Sequence, residues 1–321
     1  MNKIYCYALL LVVSLFAANA NGAPMAYSVN SDSGNESAED SLYVIDLSSG
    51  VDTLRGKLFT GIENRIDTEG LAFSSDGTLW GIDDNSLTLF PISTANGAIN
   101  PLNEIPLSGV PIGGGNDFGM SFSCDSSMYI TSVVARSLYR LDMEGNSEIV
   151  GSIGALGANI SAIAAIGQPT RLYGLGNGQF ENGDADSPNL YSINTDTGVA
   201  TLIGPLGAAV GAYNQGGLAF DSSGGLWAIT DRRIVNGEIS NLASQILSIN
   251  VDSGAATVMS GTGEVGFESL AIGPPANCGD VSSSGQGDGL ERIPTLSLEG
   301  RLLAIFVLLV AGFGILRKHT S

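Results

Sequence analysis

Histidine is almost missing from the sequence. Of 321 residues only one is a histidine, His319, and it lies close to the C-terminus. Ser-His-Asp and Cys-His catalysis both need an imidazole, as do His-ligated zinc, copper and iron sites. The body of the chain is therefore excluded from these classes of enzyme and metalloprotein.

Cationic residues are also scarce. The chain has 13 Lys and Arg residues against 32 Asp and Glu, which gives a formal net charge of −19 at pH 7. A surface of this sign repels phosphate backbones and anionic lipid, so we expect no nucleic-acid partner. The acidic surface favours solubility, and we interpret it as the surface of a protein that works outside the cell.

Only three cysteines occur. Cys6 lies in the first apolar run, which leaves Cys124 and Cys278 in the body of the chain, and neither belongs to a C-x-x-C motif. An even number of cysteines in an oxidising compartment can form a disulfide. The repeats described below put these two in non-neighbouring units, so a disulfide and two free thiols both remain open.

The first 20 residues predict a Sec-type signal peptide. Lys3 supplies the positive start, residues 8–18 are almost wholly apolar, and Ala18-Asn19-Ala20 is a small-x-small cleavage site. We expect signal peptidase to cleave after Ala20. The alternative is an uncleaved membrane helix.

Glycine is abundant, at 44 residues, and the middle of the chain repeats itself with a period of about 50 residues. One motif is a Leu/Ile-rich strand followed by Asp, Asn or Ser and a Gly turn; it reads LYVIDLSSG from 42, LFPISTANG from 89, LYRLDMEG from 138, LYSINTDTG from 190 and ILSINVDSG from 246. Between its copies stand hairpin-like segments: EGLAFSSDGTLWGI from 69, FGMSFSCDSSMYI from 118, IAAIGQPTRLYGL from 163 and GGLAFDSSGGLWAI from 216. Four short strands per repeat indicate the blade of a β-propeller.

The fifth copy of the hairpin is split between the two ends of the repeat region. FESLAIG from 267 has the first strand without its partner, and MAYSVN from 25 has the partner without the first strand. We therefore predict an all-β, five-bladed propeller over residues 21–278 whose last blade is closed by both chain ends. A two-sheet sandwich is the alternative, but a sandwich needs no such repeat. The strand order resembles that of YVTN-type and quinoprotein-like propellers, a resemblance that covers residues 25–273 and implies fold rather than function.

One large aromatic residue recurs in the hairpin of each repeat. These residues are Tyr27, Trp80, Tyr129, Tyr173 and Trp227. We expect them to pack between blades rather than to stack on a ligand.

The C-terminus carries a second localisation signal. Residues 279–292 form a polar, Gly- and Ser-rich linker, and residues 302–316 form an apolar segment that predicts a short transmembrane helix followed by the basic residues Arg317 and Lys318. At 1.5 Å per residue the apolar segment spans about 22 Å, against about 30 Å for a bilayer core.

The residues before this apolar segment carry a resemblance to a known sorting signal. Ile293, Pro294, Thr295, Leu296, Ser297 and Gly300 match the IPTL-CTERM protein-sorting domain of Gram-negative bacteria, while Glu299 stands where that domain has Trp. The resemblance covers residues 293–321. It implies recognition by an exosortase-type transpeptidase, an inner-membrane intermediate and delivery to the cell surface or beyond. The alternative is a plain single-span anchor.

Candidate ligand residues precede or begin the first strand of several repeats. They are Asp67, Glu69, Asn116, Asn214 and Glu268. We predict no cofactor and interpret these residues as hydrated loop residues near the mouth of the central channel. The alternative is a Ca²⁺ site built from them, since carboxylate and amide oxygens suit Ca²⁺. Three long polar segments, 31–41, 176–189 and 231–245, are expected as loops on the same face.

Two functions fit these observations. The first is an exported, exosortase-sorted propeller without enzymatic activity that binds a surface glycan or protein. The second is a Ca²⁺- or carboxylate-dependent hydrolase or lyase that acts at the channel mouth.

Overall fold

A computed structural model describes residues 23–32, 39–111, 116–178, 188–235 and 238–279. The predicted signal peptide, sorting motif and C-terminal helix lie outside these ranges, as does nearly all of the linker. Within the ranges, no helix has the length and apolar character that crossing a bilayer requires.

The described ranges form five antiparallel sheets that follow one another along the chain, and we number these blades 1 to 5. Blade 1 contains β1 (Met25–Val29), β2 (Ser41–Asp46) and β3 (Asp52–Lys57); blade 2 contains β4 (Thr68–Phe73), β5 (Leu79–Asp83), β6 (Thr88–Ile92) and β7 (Ile105–Pro106). Blade 3 contains β8 (Met120–Phe122), β9 (Met128–Ser132), β10 (Ser137–Leu141) and β11 (Ser147–Val150); blade 4 contains β12 (Ile160–Ile166), β13 (Arg171–Gly176), β14 (Asn189–Ile193) and β15 (Ala200–Pro205). Blade 5 contains β16 (Gly216–Phe220), β17 (Leu226–Val235), β18 (Glu238–Ile249) and β19 (Ala256–Gly261), and a short 3₁₀ turn at Pro101–Asn103 precedes β7. The prediction of an all-β, five-bladed propeller is confirmed.

The repeated Asp or Asn before each Gly turn has a local role. The Asp46 carboxylate accepts hydrogen bonds from the hydroxyl and N–H of Ser48, which lower the pKa of Asp46. Asn194 and Asn250 accept two backbone N–H bonds each in the equivalent turns. The side chain thus satisfies the turn backbone, which is why this residue type recurs with the fold.

The glycine that ends each turn is required by contact with the neighbouring blade. Gly254 has φ +77°, and a Cβ there would lie 2.4 Å from the carbonyl oxygen of Gly204 on the outer strand of blade 4. Gly50 has φ +74°, and its Cβ would lie 2.0 Å from the carbonyl oxygen of Gly261 on the outer strand of blade 5. Only glycine combines the left-handed backbone with this close approach.

Five separate hydrophobic cores lie between successive blades. Each contains, or packs against, one of the five repeated aromatic residues, which confirms their predicted packing role. The Tyr173 ring meets Phe220 of the next blade edge-on at a centroid distance of 5.5 Å, and Tyr27 meets Phe73 in the same way at 5.7 Å. The core between blades 5 and 1 joins Trp227 to blade 1. The energy of the fold is therefore distributed around a ring of similar interfaces.

Strand β1 of blade 1 is hydrogen-bonded to residues near the other end of the described chain. Tyr27 and Ala271 form an antiparallel bridge, with N–H to oxygen distances of 2.7 and 2.9 Å. The Ser269 hydroxyl accepts a hydrogen bond from the Val29 N–H at 3.0 Å. These bonds connect the N-terminal strand to residues 269–271.

Cys124 and Cys278 form a disulfide, with 5.2 Å between their Cα atoms. Cys124 lies in the turn between β8 and β9. Cys278 follows Ala276, whose carbonyl accepts a hydrogen bond from the Gly167 N–H of blade 4 at 3.0 Å. The disulfide links the end of the described chain to blade 3, and the hydrogen bond from Gly167 links it to blade 4. Of the two alternatives from the sequence, a disulfide and two free thiols, the structure has the disulfide.

One expected loop is a strand pair instead. Residues 231–235 belong to β17 and residues 238–245 to β18, and both strands extend beyond the rest of the blade, with Ile234 paired to Ile239. The loop was expected because the segment is polar, but it also contains the β-branched residues Ile234, Val235 and Ile239, which favour strands. The segments 31–41 and 176–189 fall partly on residues outside the described ranges.

Candidate functional site

The central channel is lined by the first strand of each four-stranded blade and by residues that follow Glu268. Leu71, Met120, Leu218 and Leu270 line its interior, and Glu69 stands at the upper end of this lining. The strands that line the channel begin at the upper end, and their antiparallel partners end there. Polar residues at these strand ends are thereby brought together around one opening.

Three of the residues predicted from the sequence form one group, which we call triad 1. Asp67, Glu69 and Glu268 each offer a carboxylate oxygen, and these oxygens lie within 4.8 Å of one another. Glu69 and Glu268 are buried, at 6% and 4% exposure, while Asp67 is exposed. Glu69 accepts hydrogen bonds from the Phe118 N–H at 3.0 Å and from the Gln215 amide at 3.3 Å.

A second group, triad 2, shares Glu268 with the first. Its members are Asp32, Asp231 and Glu268, again with oxygens within 4.8 Å of one another. Asp231, on β17, is fully buried; its Oδ1 accepts the Arg233 N–H at 2.9 Å, while its Oδ2 has no hydrogen-bond partner. Glu268 Oε2 accepts the Ser31 hydroxyl at 2.6 Å. The sheet thus holds an unpartnered carboxylate oxygen beside two further carboxylates.

Burial and mutual repulsion raise the pKa values of this cluster. Burial raises the pKa of Glu69 and Glu268 well above the ordinary value, and the nearby carboxylates add to the effect. Burial also raises the pKa of Asp117 and of Asp231 to about 7, and that of Asp84 to about 8, where the charge of Asp67 adds to it. Removal from water is the main cause of these raised pKa values, and the neighbouring carboxylates are the second.

Only one cation is paired with the two triads in the described part of the chain. Arg233 Nη1 donates to Asp32 Oδ1, and both side chains are about one-fifth exposed. Arg65, another buried cation, is held elsewhere by Glu63 and Glu104. The cluster is therefore strongly electronegative.

The two predicted asparagines lie near the opening but belong to neither triad. Asn116 is buried, accepts the Ser132 hydroxyl at 2.5 Å and donates to the Pro111 carbonyl at 3.2 Å. The backbone N–H of Asn214 donates to the Asp231 carbonyl at 2.9 Å. The hydrogen bonds of the Asn116 side chain hold the loop before β8 in place.

Sequence reasoning missed Asp32, Asp84, Asp117 and Asp231. A signal existed for two of them, because Asp84 and Asp231 hold the same position after the repeated LWGI and LWAI strands. Asp32 and Asp117 also lie beside repeated segments, but the equivalent positions of the other repeats are not acidic. Their convergence depends on which blades face each other across the channel.

Oxygens in this arrangement favour a divalent cation. For three oxygens within 4.8 Å of one another, a point exists no more than about 2.8 Å from all three. Ca²⁺ binds oxygens at about 2.3–2.6 Å with flexible geometry, so small shifts suffice, whereas Mg²⁺ needs about 2.0–2.1 Å and a near-ideal octahedron. The apolar channel below the carboxylates strengthens their interaction with a cation.

Known proteins resemble this chain only weakly. No family model matches the chain, and no curated protein matches it. Among solved structures, it is similar to virginiamycin B lyase from Staphylococcus aureus, with 18% identity, 74% of this chain and 70% of that chain covered, and a TM-score of 0.38. It is also similar to the calcium-binding protein regucalcin from Agrobacterium tumefaciens, with 18% identity, coverage of 79% and 78%, and a TM-score of 0.41. A symmetrical protein from work on de novo evolutionary emergence gives 15% identity, coverage of 78% and 99%, and a TM-score of 0.46. These likenesses concern the fold alone.

Proposed function

We propose that this protein is an exported five-bladed propeller that binds Ca²⁺ at its channel mouth and uses that face to bind a glycan or protein partner. The observation that carries the proposal is triad 1, in which two buried glutamates and Asp67 present oxygens within 4.8 Å of one another. Buried carboxylates without a counterion are costly, and a bound cation offsets that cost.

The proposed role in partner binding follows from the ligand positions on Ca²⁺ that the three carboxylates of triad 1 do not fill. Ca²⁺ takes 6–8 oxygen ligands. Three carboxylates acting through one oxygen each supply half of them or fewer, and Asp67 is exposed on the outer side. Hydroxyl or carboxylate oxygens of a partner complete the coordination shell in this proposal. The absence of any histidine before His319 favours binding over the common forms of acid–base catalysis.

Export is supported by the disulfide between Cys124 and Cys278, since such bonds persist in oxidising compartments. The signal peptide, the exosortase-type sorting of residues 293–321 and the final position at the cell surface belong to the proposal. So does closure of blade 1 by both chain ends, which the bridge between Tyr27 and Ala271 supports. The intact mass of the mature protein from fractionated cells tests the sorting: a chain that starts at Asn21 and ends near Ile293 is expected, and a chain that runs to Ser321 would contradict it.

Calorimetry and thermal unfolding of the mature protein test the Ca²⁺ site. We expect Ca²⁺ to bind and to raise the melting temperature, by roughly 5–10 °C at 100 times the dissociation constant, with a smaller effect of Mg²⁺. Glu69→Gln should weaken binding strongly. Glu148→Gln, which removes an exposed carboxylate on outer strand β11, should leave it unchanged. Absence of Ca²⁺ binding to the wild-type protein would refute the proposal.

A second candidate, a Ca²⁺- or carboxylate-dependent hydrolase or lyase, is favoured by one observation. Asp117 and Asp231 both have pKa values raised to about 7 by burial, where a carboxyl group can accept and donate a proton. A panel of lactones and uronic-acid polysaccharides, assayed with Ca²⁺, tests this candidate. Turnover that is lost in Asp117→Asn while Ca²⁺ binding persists would establish it; no turnover on any member leaves the binding role as the better account.

A further inference from the structure

Triad 2 carries an inference that the sequence did not suggest. We propose a second cation position, held by Asp32, Asp231 and Glu268, with the Glu268 carboxylate bridging the two ions. This inference rests on the proposed function, because the first ion is the one assigned to triad 1.

The strongest observation is the state of Asp231. Its side chain is fully buried on β17, yet its Oδ2 atom has no hydrogen-bond partner. A buried carboxylate oxygen without a partner is unfavourable in an apolar setting, so structures normally supply a partner or a cation. The nearest polar atoms in its group are the carboxylate oxygens of Asp32 and Glu268, within 4.8 Å, and ionised carboxylates can only accept. A cation satisfies all three in their ionised form; without a cation, a proton held between two of them is the alternative partner.

Glu268 is placed to serve both positions. It is the one residue common to the two triads, and the Ser31 hydroxyl on Oε2 fixes the orientation of the carboxylate. A carboxylate has two oxygens and about four lone-pair sites, so it can accept Ser31 and still bind two ions. Bridging carboxylates let two cations share a compact site, where each offsets the repulsion among the anions.

The charge of the combined site agrees with two ions. The five carboxylates of the two triads carry five negative charges when ionised. Arg233 and one Ca²⁺ balance three of them, whereas two Ca²⁺ balance four after Arg233 has moved away. With only one ion bound, the site keeps two uncompensated charges in a buried setting.

Arg233 competes with the second ion and does not replace it. It pairs with Asp32 and leaves Asp231 Oδ2 without a partner, and its own buried Nε also lacks one. Because its side chain is about one-fifth exposed, it can move towards solvent when a cation enters.

Titration calorimetry with Ca²⁺ on the mature chain, after chelator treatment, tests the inference. We expect two ions for wild type, one for Asp231→Asn, one for Asp67→Asn, and at least a tenfold loss of affinity for both ions in Glu268→Gln. Unfolding in chelator confirms that each variant is folded, and Glu148→Gln is the matched control, with two ions.

The outcomes separate this inference from the proposed function. A single ion in wild type, unaffected by Asp231→Asn but lost in Asp67→Asn, overturns the second position and leaves the proposed function standing. No ion in wild type overturns both. Two ions in folded Asp231→Asn place the second ion elsewhere and overturn the assignment, and two ions with unchanged affinity in Glu268→Gln overturn the bridge.

Discussion

Removal of the disulfide should destabilise the propeller by an amount that follows from the length of chain it closes. Cys124 and Cys278 are 154 residues apart, and the loop between them contains most of blade 3, all of blades 4 and 5 and the segment that pairs with Tyr27. The chain-entropy relation gives about 5 kcal/mol at 25 °C for a loop of this length. For a domain of this size, about 2–4 °C of melting temperature corresponds to each kcal/mol. The free energy of unfolding of the variant with both Cys124→Ser and Cys278→Ser should therefore be about 3–5 kcal/mol lower, and its melting temperature about 6–20 °C lower.

Urea unfolding followed by tryptophan fluorescence measures this difference, since Trp80 and Trp227 lie in or against two different interblade cores. Wild type treated with reductant is the control and should behave like the double variant. Thiol titration of the oxidised, denatured wild-type protein should find no free thiol from these two cysteines. If the oxidised wild type and the double variant differed by less than about 1 kcal/mol, the argument from loop closure would be refuted.

Three further predictions concern charge, close packing and a buried hydroxyl. Because burial raises the folded-state pKa of Asp117 and Asp231 to about 7, above their ordinary value of 3.8, the folded state binds more protons than the unfolded chain between about pH 4 and 7. The free energy of unfolding, measured in chelator, should therefore fall as pH rises through that range, and the melting temperature should be higher at pH 5 than at pH 8. Ca²⁺ should reduce the difference. A melting temperature that does not change with pH would contradict the raised pKa values of Asp117 and Asp231. Gly254→Ala should lower the free energy of unfolding in urea by about 2 kcal/mol, because φ is +77° and the new Cβ overlaps a carbonyl oxygen of blade 4. The control is Gly273→Ala, which has nothing within 4 Å of its Cβ and should lower it by less than about 0.5 kcal/mol. Tyr213→Phe should cost about 1–2 kcal/mol by the same measurement, because the fully buried hydroxyl donates to a β13 carbonyl at 2.7 Å; no change would mean that this bond adds nothing to stability.

The acidic face also predicts a specific effect of Arg233. Arg233→Gln removes the cation that pairs with Asp32, and it should tighten the binding of the second Ca²⁺ at least several-fold while the first ion is unaffected. Calorimetry on the mature protein measures both affinities. An unchanged second affinity would show that Arg233 does not compete for triad 2.

Local patterns in the sequence were enough to determine the blades. The Asp or Asn of each Gly turn bonds its own turn, the aromatic of each hairpin fills the adjacent interblade core, and both act within about 50 residues of chain. Glu69 and Glu268 could be found because they hold the same position in two copies of one repeat. The residues that interact locally, or that a repeat presents more than once, are those that a single sequence reveals.

The tertiary structure alone decided which distant residues meet. Asp32 and Asp231 come from blades 1 and 5, at opposite ends of the repeat region, and they converge because the core between these two blades brings them together. The same holds for Cys124 and Cys278, which the repeat count placed apart. A repeat pattern specifies each blade but not the angle at which the blades surround the axis. The charge cluster, the shared Glu268 and the unpartnered oxygen of Asp231 all depend on that angle, so only the folded ring could show them.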